Sequence, residues 1–336
     1  MAAQTYHEII KDIERKMFHS IYLLHGEEDY FIDEICNAIE ANVLEDSEKD
    51  FNQTVVYGRD IDVISLISMA KRYPMMSNHQ VILVKEAQNL KNIESLESYA
   101  ANPQKSTILV ICHKHSKIDG RKKFAQTLKA KKHFIFEAKP LYDNQIPEWI
   151  ENYIRTHGYE IGPESSMLLS ENLGSDLSRI TNEIKKLFIS IPKGSKISQE
   201  NIEENIGISK DYNVFELQRA LGKKNVMKAN QIIFHFANDP RKFPIVMVVP
   251  MLYNYFINLM TIHAVADKSQ RNIAAALTIN PFFVKEYISA YRNYSYNKLF
   301  KIIGYLREYD MISKGWKNSG IEDGEIYKEL IFKILH

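Results

Sequence analysis

An α/β sheet domain followed by all-helical domains (α/β plus all-α) is the fold class this sequence predicts, on three observations. Five β-branched or aromatic runs of strand length alternate with helical segments through residues 1–140. Strand signals stop at Pro140. From residue 212 onward apolar residues recur at spacings of three and four, with many Tyr and Phe among them. Strands that alternate with helices are joined by crossovers, so the sheet is expected to be parallel and covered on both faces.

The strands are expected at Ile21–His25, Thr54–Tyr57, Val81–Lys85, Thr107–Cys112 and His133–Glu137. Among the helices between them, Phe31–Leu44 puts Phe31, Ile35 and Ile39 on one face, and Asp62–Tyr73 is another. A small helical domain is expected over residues 141–211. Its helices are Asn144–His157, ended by Gly158, and one opened by Pro163 that ends near Gly174. Ser175–Ile189 follows, with Leu177, Ile180, Ile184, Leu187 and Phe188 at helical spacing, and then Gln199–Ile206, capped by Ser198. Residues 212–336 make the third domain. Asn280-Pro281 opens a helix with proline at its first position, and Tyr294–Lys314 and Ile321–Leu335 carry apolar stripes. Pro244 and Pro250 each remove a backbone donor from the helix around 242–262.

Composition narrows the function classes. A chain of 336 residues is long for one core. With 45% hydrophobic and 25% charged residues it is an ordinary soluble globular protein, and a net charge of +1 gives no whole-molecule bias toward nucleic acid. Cys36 and Cys112 lie far apart in apolar runs, which excludes a C-x-x-C zinc ribbon and any disulfide framework and suits a reducing cytosol. No basic head with an apolar block opens the chain, so no signal peptide is expected. The stretch 243–260 is broken by Pro244, Pro250, Asn254 and Asn258, and is expected to be too polar to span a membrane. The expected location is cytoplasmic. His113-x-His115 is the closest histidine pair and has no third ligand at zinc spacing, so no metal is expected. Neither a nucleophile pattern nor a cofactor motif stands out.

Ile21 to Cys36 reads as strand, glycine turn and helix, the setting of a phosphate-binding loop, yet the phosphate chemistry is missing. A working loop, G-x-x-x-x-G-K-[ST], turns backbone N–H groups toward the phosphates and adds a lysine and a magnesium-binding hydroxyl. Here Gly26 remains, Glu27, Glu28 and Asp29 follow it, and no Gly-Lys pair comes after. A carboxylate about 5 Å from a phosphate oxygen, at an effective dielectric of about 20, repels it by roughly 3 kcal/mol. An ATPase also needs an acid at the end of a later strand to hold magnesium. In Val81-Ile-Leu-Val-Lys-Glu86, Lys85 takes that place and Glu86 alone is acidic. Both losses argue against ATP hydrolysis.

At this point the chain resembles a known family. Tyr22-Leu-Leu-His-Gly-Glu-Glu28, Val81-Ile-Leu-Val-Lys-Glu-Ala87 and Gly174-Ser-Asp-Leu-Ser-Arg-Ile-Thr-Asn-Glu-Ile-Lys-Lys-Leu187 look like the delta subunit of the bacterial DNA polymerase III clamp loader. Phe215-Glu-Leu-Gln-Arg-Ala-Leu-Gly222 and the pair Asp310 and Lys314 add to the likeness, which spans nearly the whole chain. It implies an AAA+-like fold without ATPase activity: a Rossmann-type domain (1–140), a three-helix lid (141–211) and a helical collar (212–336). The sensor arginine expected after Gly-x-Asp-Leu is Ser178 here, with Arg179 next to it. The resemblance further implies a subunit of the DNA polymerase III holoenzyme that binds and opens the beta sliding clamp for loading onto primed DNA. Its partners would be the tau/gamma and delta prime subunits, met through the collar.

The family grips the clamp through two apolar residues on a turn before the third strand. That position holds Tyr73-Pro-Met-Met-Ser-Asn78, which makes Pro74, Met75 and Met76 the clamp-binding candidates. Methionine is flexible and polarizable and suits a partner's apolar pocket, whereas the family often has leucine and phenylalanine there. The alternative is that both methionines pack in the core. A second candidate surface is the basic run of Lys114, Lys117, Arg121, Lys122, Lys123, Lys129, Lys131 and Lys132, with Asp119 its single acid. Such a run can track a phosphate backbone without reading sequence, or can be a solvated face. Trp316 is a candidate to stack on a base or to pack in the collar. The competing readings of the whole chain are an active AAA+ ATPase with an unusual loop and a helical adaptor outside replication.

Overall fold

A computed structural model of the chain describes residues 6–316, 320 and 322–336. The first five residues of the N-terminal reading, and Ile321 of the last expected helix, lie outside these. The chain divides into two compact units, Met1–Pro140 and Leu141–His336.

The first unit runs α1 (Tyr6–Glu14), β1 (Ile21–Gly26), α2 (Asp29–Asn42), α3 (Asp46–Asn52), β2 (Gln53–Tyr57), α4 (Val63–Ala70), β3 (Gln80–Lys85), α5 (Glu97–Ala101), β4 (Thr107–His113), α6 (Lys123–Ala130) and β5 (Phe134–Ala138). Its five strands form one parallel sheet in the order β2-β3-β4-β1-β5. The central strands β1, β3 and β4 are buried almost throughout, which is why they read as unbroken apolar runs. β2 is an edge strand and leaves Val55 and Tyr57 partly exposed. Alternation along the strands sorts the core. Ile21, Leu23, Ile82, Val84, Leu109 and Ile111 pack with Leu66 of α4 and Phe124 and Leu128 of α6. Helix α2 buries Ile32, Ile35, Cys36 and Ile39. α3 has one apolar residue, Phe51, and so no periodic stripe that could announce it.

Cys36 of α2 and Cys112 of β4 are both buried and neighbour each other in the interior, although sequence spacing sets them apart. The neighbouring Cys36 thiol, and then burial, push the Cys112 thiol up.

The second unit begins with α7 (Ile146–Thr156), β6 (Glu160–Ile161), α8 (Pro163–Leu173), α9 (Leu177–Ser190), β7 (Lys196–Ile197) and α10 (Gln199–Ile206). Two expectations change here. Strands do not end at Pro140, because β6 and β7 form a two-residue parallel ladder, too short to leave a periodic signature. The segment also has the four α-helices that its periodicity places there, one more than the three-helix lid that the resemblance implies. Gly174 ends α8, and Asp176 and Ser198 cap α9 and α10 with side-chain acceptors.

Helices α11 (Val214–Gly222), α12 (Val226–Asn238), α13 (Ile245–Ala264), α14 (Gln270–Leu277), α15 (Val284–Tyr291), α16 (Tyr296–Ser313) and α17 (Asp323–Leu335) complete the unit around an apolar core. α13 tolerates Pro250 one turn inside its start, and Pro244 stands just before it. By length and composition α13 would suffice to cross a membrane, against the expectation that this stretch is too polar. Its stripe of Val248, Val249, Leu252, Phe256, Leu259 and Ile262 is buried, so its apolar content is that of a core helix.

Candidate functional site

The segment between α4 and β3 carries the clamp-binding candidates. α4 ends at Ala70, whose carbonyl accepts from the Thr107 hydroxyl at 2.8 Å and the Tyr99 hydroxyl at 3.2 Å. Gln80, buried at the start of β3, donates to the Arg72 carbonyl at 2.6 Å and to Thr107 Oγ1 at 2.7 Å. Both ends of the segment are therefore tied to the sheet. Between them Tyr73 is 78%, Met75 62% and Met76 102% exposed. The reading that packs both methionines in the core does not hold. Pro74 is half-buried, and Met76 has a φ of +53°, in the left-handed region.

The phosphate loop is occupied by its own chain. The N–H groups of Glu27 and Glu28 both donate to the Ala138 carbonyl, at 3.0 and 3.3 Å, so the donors that would face a phosphate are engaged. The Glu28 side chain caps α2 by accepting from the Tyr30 N–H at 3.2 Å. Asp29 pairs with His115 Nδ1 at 3.1 Å, and Asp33 with Lys114 Nζ at 2.7 Å. Lys85 ends β3, and Glu86 just after it has a φ of +50°. Ser178, with Arg179 beside it, sits exposed on the first turn of α9 in the second unit.

The basic run is less free than its sequence suggests. Lys114 is held by Asp33, Lys117 by Glu137 at 2.6 Å, Arg121 by Asp119 at 2.9 Å and Lys122 by Glu94 at 3.6 Å. Asp119 is thus not the single acid; three more come from α2, β5 and the turn before α5. Among the described residues, Lys123, Lys129, Lys131 and Lys132 are exposed and form no ion pair. Trp316 is 47% exposed, which corrects the expectation of a collar-core residue. Asp310 and Lys314 form the expected i,i+4 pair at 2.8 Å. His113 ends β4 and His115 pairs with Asp29; among the described residues no cluster of metal ligands occurs.

Sequence reasoning missed the residues that hold the exposed turn, Asn52 and Gln80. The available sign was polar: an asparagine at a helix–strand junction and a glutamine opening an apolar strand.

Comparison with known proteins decides the family. Residues 22–139 match the family described as DNA polymerase III, delta subunit, and residues 211–333 match the C-terminal domain of that subunit. The chain belongs to the DNA polymerase III delta subunit family. It is 27% identical over 335 residues to DNA polymerase III subunit delta of Bacillus subtilis strain 168, across 96% of this chain and 94% of that one. Its fold is similar to that of the Bacillus subtilis DNA clamp loader delta protein YqeN, with a TM-score of 0.53 and 25% identity. That overlap covers 98% of this chain and 99% of the other. The delta family matches leave out residues 140–210, the stretch that holds α7 to α10.

Proposed function

We propose that this delta-family chain binds a ring-shaped sliding clamp through Pro74, Met75 and Met76 and favours its opened form for loading onto primed DNA. The observation that carries this reading is the exposure of two consecutive methionines on a turn whose flanks are tied to the sheet. A well-ordered apolar pair without cover suits a partner's groove, where a few central residues dominate binding. Opening follows only if the pair binds the opened interface more tightly than the closed ring.

The chain contributes no ATP hydrolysis of its own, since its loop donors are engaged and its magnesium acid is replaced. Tau/gamma and delta prime subunits, joined through residues 212–336, supply that step. Lys123, Lys129, Lys131 and Lys132 give a non-specific phosphate contact within the assembly, and Trp316 a surface for a base. The setting is cytoplasmic.

The test is the double change Met75→Ala with Met76→Ala. Clamp affinity should fall by about 2–4 kcal/mol, the scale of truncated anchors, or roughly thirtyfold to a thousandfold. Thermal unfolding should stay nearly unchanged, because exposed side chains are removed. Unchanged affinity in the folded variant would remove these residues from the site.

A further inference from the structure

The conformation of the exposed turn is set from a different element. Asn52, the last residue of α3, is only 4% exposed, and its amide grips the backbone of Met75 on both sides. The Met75 N–H donates to Asn52 Oδ1 at 2.6 Å, and Asn52 Nδ2 donates to the Met75 carbonyl at 2.9 Å. Two such bonds reproduce one rung of a strand ladder and fix the peptide planes on either side of Met75. One turn earlier on α3, Glu48 faces the same turn, its carboxylate near the Ser77 side chain. Its carbonyl accepts from Asn52 Nδ2 at 3.1 Å, which orients the amide. Met76 therefore directly follows a residue tethered on both sides. It is held at a φ of +53°, a region that side chains with a Cβ avoid. Its own side chain is fully exposed and gains nothing by burial there. The strained geometry is maintained from α3.

We propose that Asn52 is a positioning residue for the clamp contact, holding the Met75–Met76 turn in its presenting conformation without touching the clamp. The inference rests on the reading of Met75 and Met76 as the clamp contact. A turn ordered before binding loses little backbone freedom on docking, whereas a released turn binds only in the fraction of time it spends in the competent shape. Loosening the turn should therefore lower the association rate with the dissociation rate little changed. Truncating the methionines should mainly speed dissociation.

The experiment uses the full chain and the purified sliding clamp of the same cell, with rates and affinities measured for four proteins. These are wild type, N52A, M75A/M76A and the triple variant, each with its thermal unfolding curve. N52A is expected to bind about tenfold more weakly, through slower association. It should lose nothing further once both methionines are already gone, since it acts through them. N52D keeps the acceptor for the Met75 N–H and loses the donor, so it should fall between wild type and N52A; it replaces N52A if that variant does not fold. Wild-type affinity in N52A, or an equal loss with and without the methionines, overturns the proposal. So does unfolding of both Asn52 variants, which would make Asn52 a residue of the fold. If M75A/M76A binds like wild type, the clamp reading itself fails, and that outcome is distinct from a neutral N52A beside a weakened double variant.

Discussion

Gly26 is the one glycine left from the phosphate loop, and its environment explains its presence without any nucleotide. Its φ is +143°, and a Cβ placed on it would stand 2.0 Å from the Ala138 carbonyl oxygen. The end of β1 needs a residue without a side chain so that the ends of β1 and β5 can close together. Glu171 is the opposite case, a side chain whose carboxylate is buried. Burial raises its pKa from 4.5 to about 8, and its Oε2 has no hydrogen-bond partner among the described residues. Between those two values the folded chain holds a proton that the unfolded chain has released. Stability therefore falls as pH rises through that window, and Glu171 has no such effect below about 4.5. Glu171→Gln cannot ionise. It should melt higher than wild type at pH 9, on the order of 5 °C, with the gap closing toward pH 5. Melting curves at pH 5, 7 and 9 check this, and a gap independent of pH would refute it.

Elements in this chain are positioned by small, specific contacts as much as by stripes. Gly222 ends α11 where a Cβ would lie 2.2 Å from the Tyr255 hydroxyl of α13 and 2.9 Å from the Ala290 Cβ of α15. Asn293 Nδ2 donates to the Gly222 carbonyl at 2.8 Å, fastening the helix end. Gly222→Ala should lower stability by about 1–3 kcal/mol through overpacking. Denaturant unfolding measures it, and an unchanged midpoint would show that α11 can shift freely. Arg219, on the same helix, gathers Glu216 at 3.0 Å, Glu164 of α8 at 3.0 Å and Glu286 of α15 at 2.6 Å. One guanidinium thereby joins residues expected in the lid to residues expected in the collar. This agrees with the compaction of residues 141–336 as one unit. The pattern Phe215 to Gly222 was legible as a family signature, yet its physical work is this pair of contacts, which no spacing within α11 reveals.

For the whole molecule, the expected outcome with nucleotide is silence. Isothermal titration of the chain with Mg-ATP should show neither binding nor turnover. Lys85→Asp should not restore either, because the Glu27 and Glu28 N–H groups remain committed to Ala138. Micromolar binding with measurable turnover would instead promote the active ATPase reading. The exposed turn belongs to the first compact unit, Met1–Pro140, and α11–α17 belong to the second, Leu141–His336. The proposed clamp contact therefore falls in one unit and the proposed subunit contact in the other.

The sequence by itself determined the five parallel strands, the helices with continuous apolar stripes, and the loss of phosphate chemistry around Gly26. Those features are local: periodicity, caps and missing residue types are written in neighbouring positions. Tertiary structure alone decided the rest. It set the exposure of Met75 and Met76, the capture of four of the eight basic-run cations by acids, and the meeting of Cys36 with Cys112. It also set the hold of Asn52 on Met75, twenty-three residues away in the chain. Each of these depends on which surfaces meet after folding. A pairing between distant residues leaves no mark on the residues beside either partner, so a single sequence is silent about it.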